Sequence, residues 1–389
     1  MGTARRLAVA LAALTSSCAP VPRDGTARPA SQVAAAASEG MARTEARGLA
    51  FALVRDGELA EVRTLGDRNA AGDPLTDRTV MYGASLTKAA FAYMVLQLAE
   101  EGAIDLDASI ATYLDRPLPS YEPDPWRYAP YQTLAGDERW RALTPRILLT
   151  HSAGFGNFWF LEPDDALRFH FDPGSRYAYS GDGFVLMQFV LEEGLGLDVG
   201  AEMQARVFEP FGMTRTSMTW REDFADDLAD GWTAAGEPVP HDDRSKVRAA
   251  GSMDTTIEDA GRLAAGLVRC EGLSTGSCET FTAPQLPITT AAQFPTLMDE
   301  LPRSERREDL AAGLGVVVFE GPQGPAFYKG GHDENTGNTM VCLRERRDCI
   351  VVLSNDVRAE AAFPMIVRAA LGDTGAPWTW EYPSLELIE

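Results

Sequence analysis

Apolar and polar positions change rhythm three times along the chain. Gly48–Arg55 and Glu58–Thr64 are two β-prone runs on either side of Asp56-Gly57, a dipeptide suited to the positive φ angles of a tight hairpin turn. From Ser85 to about Asp243, helical patterns alternate with Pro/Gly-rich loops. The plainest of them, Ala89–Glu101, carries apolar residues at helical spacing and stops at Gly102. Beyond Gly251 the pattern predicts a helix over Ile257–Val268, then strands over Gly313–Phe319, Thr339–Arg344 and Cys349–Leu353. An amphipathic helix over Ala359–Leu371 follows. Strands at both ends with helices between them predict an α+β fold: an antiparallel sheet flanked by helices, plus an inserted, mostly helical domain. The expected boundaries are a sheet domain built from 48–84 and 250–371, a helical domain over 85–249, and a C-terminal tail over 372–389.

The first residues follow a different logic. Arg5 and Arg6 precede an apolar run, Leu7 to Leu14, far short of the ~20 residues that cross a bilayer. Residues 1–18 therefore read as an export signal, with a periplasmic or extracellular destination and no transmembrane span. Leu14-Thr15-Ser16-Ser17-Cys18 resembles a bacterial lipoprotein cleavage box, with Thr15 in place of the usual aliphatic residue, which makes Cys18 a lipidation candidate. The Ala-, Pro- and Ser-rich stretch 19–47 would then be a tether.

Composition narrows the function. The chain has 389 residues, 45% apolar and 24% charged, ordinary values for a globular protein with a large core. Its 35 Lys and Arg against 57 Asp and Glu leave −22, which disfavours nucleic acid and anionic leaflets as partners. Only three of the basic residues are lysines: Lys88, Lys246 and Lys329. A chain that supplies positive charge through Arg keeps Lys as a candidate for chemistry Arg cannot do, because a buried Lys can lose its proton. Cys270, Cys278, Cys342 and Cys349 are an even set, suited to disulfides in an exported chain, with buried free thiols as the alternative. Cys342 and Cys349 flank a charged tip between two apolar runs; Cys270 and Cys278 bracket a Gly/Ser/Thr-rich loop. Neither spacing is a zinc clip, so no metal and no cofactor is expected.

Ser85-Leu86-Thr87-Lys88 opens the first long helix and puts Ser and Lys one turn apart on one face, a nucleophile with a potential built-in base. Alone, such a pair is as readily an N-cap Ser and a solvated Lys. Its surroundings carry more. Val80-Met81-Tyr82-Gly83-Ala84 before the Ser and Leu96-Gln97-Leu98-Ala99-Glu100-Glu101-Gly102-Ala103-Ile104-Asp105-Leu106-Asp107 after it resemble the serine β-lactamase and penicillin-binding-protein superfamily. The likeness is to its class C-related branch, which also holds DD-peptidases and family VIII carboxylesterases. Thr144–Gly154, Phe208–Met213 and Ala250–Thr255 resemble further blocks of that branch, in order, from about residue 48 to 371.

The resemblance implies a β-lactamase/DD-peptidase-like fold and assigns roles by position. Tyr179, six residues after Pro173, stands where the family has its catalytic Tyr, and its phenol is expected to fall in pKa beside a cationic Lys88. Gly181 replaces the family's Asn. Lys329-Gly330-Gly331 matches the third box, with Lys329 implied to hold a substrate carboxylate and Gly331 to let an edge strand approach the substrate. The N–H groups of Ser85 and His332 would form the oxyanion hole. His151 and His170 read as structural and Tyr177 as core. The expected function is an exported serine hydrolase acting through an acyl-enzyme on a small-molecule or peptide substrate. A carboxylic ester or a cell-wall stem peptide would fit; the alternatives are a β-lactamase or a non-catalytic penicillin-binding receptor.

Overall fold

The structure is a computed structural model that describes residues 28–388. The expected export signal and Cys18 lie outside the described residues. Among these residues, no helix is long and apolar enough to cross a membrane.

Strands β1 (Gly48–Arg55) and β2 (Glu58–Gly66) form the expected hairpin, with Asp56 and Gly57 at φ 47° and 83°. Six more strands complete an antiparallel sheet: β3 (Leu286–Pro287), β4 (Ala311–Ala312), β5 (Val317–Gly321), β6 (Gly324–His332), β7 (Gly337–Leu343) and β8 (Asp348–Ser354). The order across the sheet is β2-β1-β8-β7-β6-β5-β4-β3. The apolar pattern did not resolve β6 because Gly324, Gly330 and Gly331 interrupt it. A two-residue turn at Pro322-Gln323 folds it back on β5.

Helices cover both faces of the sheet, so β1 is apolar and buried almost throughout. The two-residue period sorts it: Leu49, Phe51 and Leu53 face one core, Ala50, Ala52 and Val54 the other. The small residues face α4 (Ile257–Arg269), capped by Thr256 through the Asp259 N–H. A Cβ on its Gly261 would lie 2.7 Å from the Ala52 Cβ, so helix and strand touch backbone to backbone. The same core holds α2 (Leu86–Glu100), which is buried from Leu86 through Leu98 on every side, and α3 (Gly181–Phe189).

The opposite core corrects two expectations. Residues 19–47 are not wholly a tether: Ala30–Thr44 forms α1, in which Val33 and Ala37 are fully buried and Gly40 sits against Ala362. Ala-rich sequence suits a linker and a helix equally. The small residues at helical spacing are what let α1 lie on α5 (Phe363–Leu371). The segment beyond residue 371 is not a loose tail either. It turns into α6 (Trp378–Glu381), buries Trp380 and Tyr382, and ties Met365 N–H to Ile388 O at 3.1 Å.

A chain shortened to begin at Gly48 should lose several degrees of melting temperature, because Val33 alone buries a side chain worth ~1.5–3 kcal/mol. An unchanged melting curve would restore the tether.

Candidate active site

Three elements converge on Ser85: the N-terminus of α2, the end of β6 and the start of α3. Gly83 donates its N–H to Met253 O at 2.8 Å, and a Cβ there would meet that oxygen at 2.9 Å. Ala84 then takes φ 45°, a left-handed conformation costing a residue with a Cβ roughly 1–3 kcal/mol, and the chain turns into the helix. Ser85 does not cap α2 with its side chain, and Lys88 is not solvated. The structural alternative for this pair, a capping Ser with a surface Lys, is therefore not what the fold builds.

The Lys88 Nζ lies 3.0 Å from Ser85 Oγ and 2.5 Å from Ala250 O, and 4.9 Å from the centre of the Tyr179 ring. Burial pushes its pKa well below the ordinary lysine value, and the positive charges of Lys329 and Arg248 push it further. The amine is thus held towards its neutral form, with a lone pair available to Ser85.

Tyr179 donates its phenol O–H to Ser85 Oγ at 2.7 Å. The expectation that its pKa falls is corrected: burial raises it, and the hydrogen bond to Ser85 only partly opposes that rise. The neighbouring amine gives less help than expected because burial lowers the Lys88 pKa as well. The ring is held by stacking on His151 at 4.3 Å and by Phe294 at 5.2 Å. His151 accepts the Ser180 N–H on Nδ1 at 3.0 Å, and burial keeps it far below the usual histidine range. It is structural, as read, but what it supports is the Tyr179 ring. His170 pairs with Glu162, and Tyr177 donates to Gln293 inside the core.

Strand β6 is interior to the sheet, not an edge, yet its last residues are an open edge because β5 ends opposite Tyr328. Pro325 O accepts from Arg344 N and Asp333 N donates to Thr336 O, so odd-numbered residues turn their backbone groups towards β7. Gly330 and His332 therefore point theirs the other way, into the cleft. At Gly331 a Cβ would come within 2.8 Å of Gly83 O and 3.1 Å of Leu86 N, so this strand touches the turn that carries Ser85. The His332 imidazole is half-exposed, with Nδ1 at 2.9 Å from Glu360. Burial disfavours its charged form, but the Glu360 carboxylate outweighs this and holds its pKa above the ordinary value.

Lys329 is not presented to solvent. It is 4% exposed, its Nζ donates to Gly330 O at 2.6 Å, and it lies 5.3 Å from the Tyr179 ring centre. Burial lowers its pKa to about 8 against the pull of Glu381, a buried carboxylate on α6. Gly181 leaves a space that the Phe158 ring fills. Asn157 accepts the Gly181 N–H at 3.0 Å, and Trp159 N–H donates to Asp182 at 2.6 Å, which pins Phe158 there. Cys270 is disulfide-bonded to Cys278, and Cys342 to Cys349 across directly paired positions of β7 and β8, both remote from Ser85 in the fold.

Glu381, Phe158 and Arg248 are the site residues that sequence reasoning passed over. Glu381 and Phe158 come from segments distant from any motif. Arg248 had one signal: it stands two residues before Ala250, whose carbonyl receives Lys88.

Among solved structures, the fold is similar to an octameric penicillin-binding protein homologue from Pyrococcus abyssi (TM-score 0.68, 19% identity, covering 89% of this chain and 78% of that one). It is also similar to the D-alanine carboxypeptidase AmpC from Burkholderia cenocepacia (TM-score 0.65, 18% identity, 87% and 97%). Such identities speak for the fold alone. In sequence, the chain is 29% identical over 195 residues to Esterase EstB of Burkholderia gladioli, covering 43% of this chain and 45% of the esterase. It is 25% identical over 162 residues to Penicillin-binding protein 4* of Bacillus subtilis (strain 168), covering 37% and 31%. The matched region spans less than half the length of either relative. The beta-lactamase family profile matches residues 33–372, a stretch that begins within α1 and runs past α5, and so takes in the sheet, α2 and the whole convergence on Ser85; by that match the chain belongs to the beta-lactamase family.

Proposed function

We propose that this protein is an exported serine hydrolase that works through an acyl-enzyme on a carboxylic ester or peptide. The observation that carries the reading is the double engagement of one hydroxyl: Ser85 Oγ lies within hydrogen-bond reach of both Lys88 and Tyr179, and the amine of that pair is held towards neutrality. Neutral Lys88 takes the Ser85 proton as Oγ bonds to the scissile carbonyl carbon. The oxyanion that forms would be met by the N–H groups of Ser85 and His332. Tyr179, whose phenol keeps its proton, hands it to the departing oxygen or nitrogen and recovers one from the Lys88 ammonium. Water then attacks the acyl carbon, its proton follows the same route in reverse, and Ser85 is released.

Lys329 has a different part from the one the resemblance implies. Its ammonium already has Gly330 O as acceptor and Glu381 as counter-charge, and its field depresses Lys88. It keeps the base deprotonated. Gly181 with Phe158 favours an ester over an amide or β-lactam, since an aromatic ring occupies the place from which an Asn amide would contact the substrate. Export is supported by Arg5, Arg6 and the apolar run after them, and by disulfides suited to an oxidising compartment.

Ser85→Ala should abolish p-nitrophenyl ester turnover and covalent labelling by a fluorophosphonate while leaving the melting curve in place. Label retained by the variant would remove the nucleophile from the account.

Activity should rise with pH through the Lys88 ionisation, because the base works only when deprotonated. Lys329→Met removes a positive charge that lowers the Lys88 pKa, so the acid limb of kcat/KM should move to higher pH. An unmoved limb would show that Lys329 does not set the protonation of Lys88.

A further inference from the structure

Beside the nucleophile lies a cleft of about 280 Å³ that the mechanism above does not use. Its wall includes Tyr82, Gly251 and Ser252. Gly251 stands against the nucleophile turn: a Cβ on it would lie 3.4 Å from Ala84 O, the residue preceding Ser85, and Tyr82 O–H donates to Gly251 O at 2.6 Å. The cleft thus borders the turn that carries Ser85.

Three cations line it, and two are committed. Arg244 is bonded to the buried Asp254 at 2.9 Å and lies 3.5 Å over the Tyr82 ring. Lys246 is paired with Asp124 at 2.6 Å. Among the described residues the Arg248 guanidinium has no hydrogen-bonded or ion-paired partner, while its backbone is fixed by the Ser252 Oγ and by the Gly251 N–H. It lines the cleft together with Gly251 and Ser252, and its charge is felt at Lys88 and at Asp182. Asp182 is buried, its carboxyl is pushed up to about 8 by that burial, and it accepts the Trp159 N–H at 2.6 Å rather than pairing with the guanidinium. Asp242 and Asp243 also line the cleft, but both are exposed and screened by solvent. A half-buried guanidinium fork beside a nucleophile, with no carboxylate of its own, is a receptor for one.

We propose that Arg248 is a specificity-determining residue that binds a carboxylate on the substrate through this cleft. The inference rests on the acyl-enzyme reading, and it assigns to Arg248 the task that Lys329, tied to Gly330 O, is not placed to perform.

The test compares two p-nitrophenyl esters of similar length, the hemisuccinate with its free carboxylate and the neutral pentanoate, at a pH on the plateau of each variant. The wild-type enzyme should favour the hemisuccinate in kcat/KM. Arg248→Gln should raise KM for the hemisuccinate roughly ten- to a hundred-fold more than KM for the pentanoate, the loss of one charge-assisted hydrogen bond. Arg248→Lys, which keeps the charge but not the fork, should fall between. A wild-type preference for the pentanoate, or an equal loss on both esters in Arg248→Gln, would overturn the proposal. So would a hemisuccinate-specific KM effect in Lys329→Met with none in Arg248→Gln. Fluorophosphonate labelling of wild-type Ser85 separates the two levels. Without label the acyl-enzyme reading itself fails; with label and no carboxylate preference, only the assignment of Arg248 fails.

Discussion

Burial of one lysine side chain governs the chemistry around Ser85. Lys88 is 1% exposed, and its amine sits between a hydroxyl and a carbonyl with no carboxylate to hold its proton. Desolvation alone pushes such a group towards neutrality, and two nearby cations add to it. Lys329 shares the burial but has Glu381 to oppose it, and so comes down only to about 8. Both lysines are lowered by burial, and the positive charge of Lys329 lowers Lys88 further. Burial raises the Tyr179 phenol, which donates its O–H to Ser85 Oγ.

The architecture exists to hold that arrangement still. α2 is buried on every side, so the turn at its N-terminus cannot shift without moving the core. Gly83, Ala84 and Gly331 each bring backbone closer than an ordinary side chain or conformation would allow. β6 reaches Ser85 with an unpaired backbone edge because β5 stops short. Although the chain carries −22 overall, Lys329 and Arg248 both bear on Lys88, a local excess of positive charge that the overall balance would not suggest.

The hairpin around Asp56-Gly57, α2, α4 and strands β5, β7 and β8 were legible because each shows a clear apolar pattern and a turn or cap residue at its end. Ser85, Lys88 and Tyr179 were legible through spacing and resemblance. What escaped has physical causes. β6 is broken by glycines whose purpose is close approach. α1 uses the same Ala-rich composition that a linker would. Glu381 and Phe158 reach the site only through tertiary packing, from stretches with no motif. Arg248 became visible once every other cation in its cleft had been matched to a partner. The ionisation of Tyr179 was misjudged because a sequence shows that Lys88 is near but not that it is buried.

The account stands or falls on the protonation of Lys88, and the chain's composition makes that measurable. With only three lysines, a sample carrying ¹³C- or ¹⁵N-labelled lysine gives three side-chain signals to follow by NMR titration. One signal should titrate well below the ordinary lysine value and vanish in Lys88→Arg, with the Lys329 signal changing near pH 8. If the signal lost in Lys88→Arg instead titrates at the ordinary lysine value, Lys88 is an ammonium ion at working pH and cannot be the base.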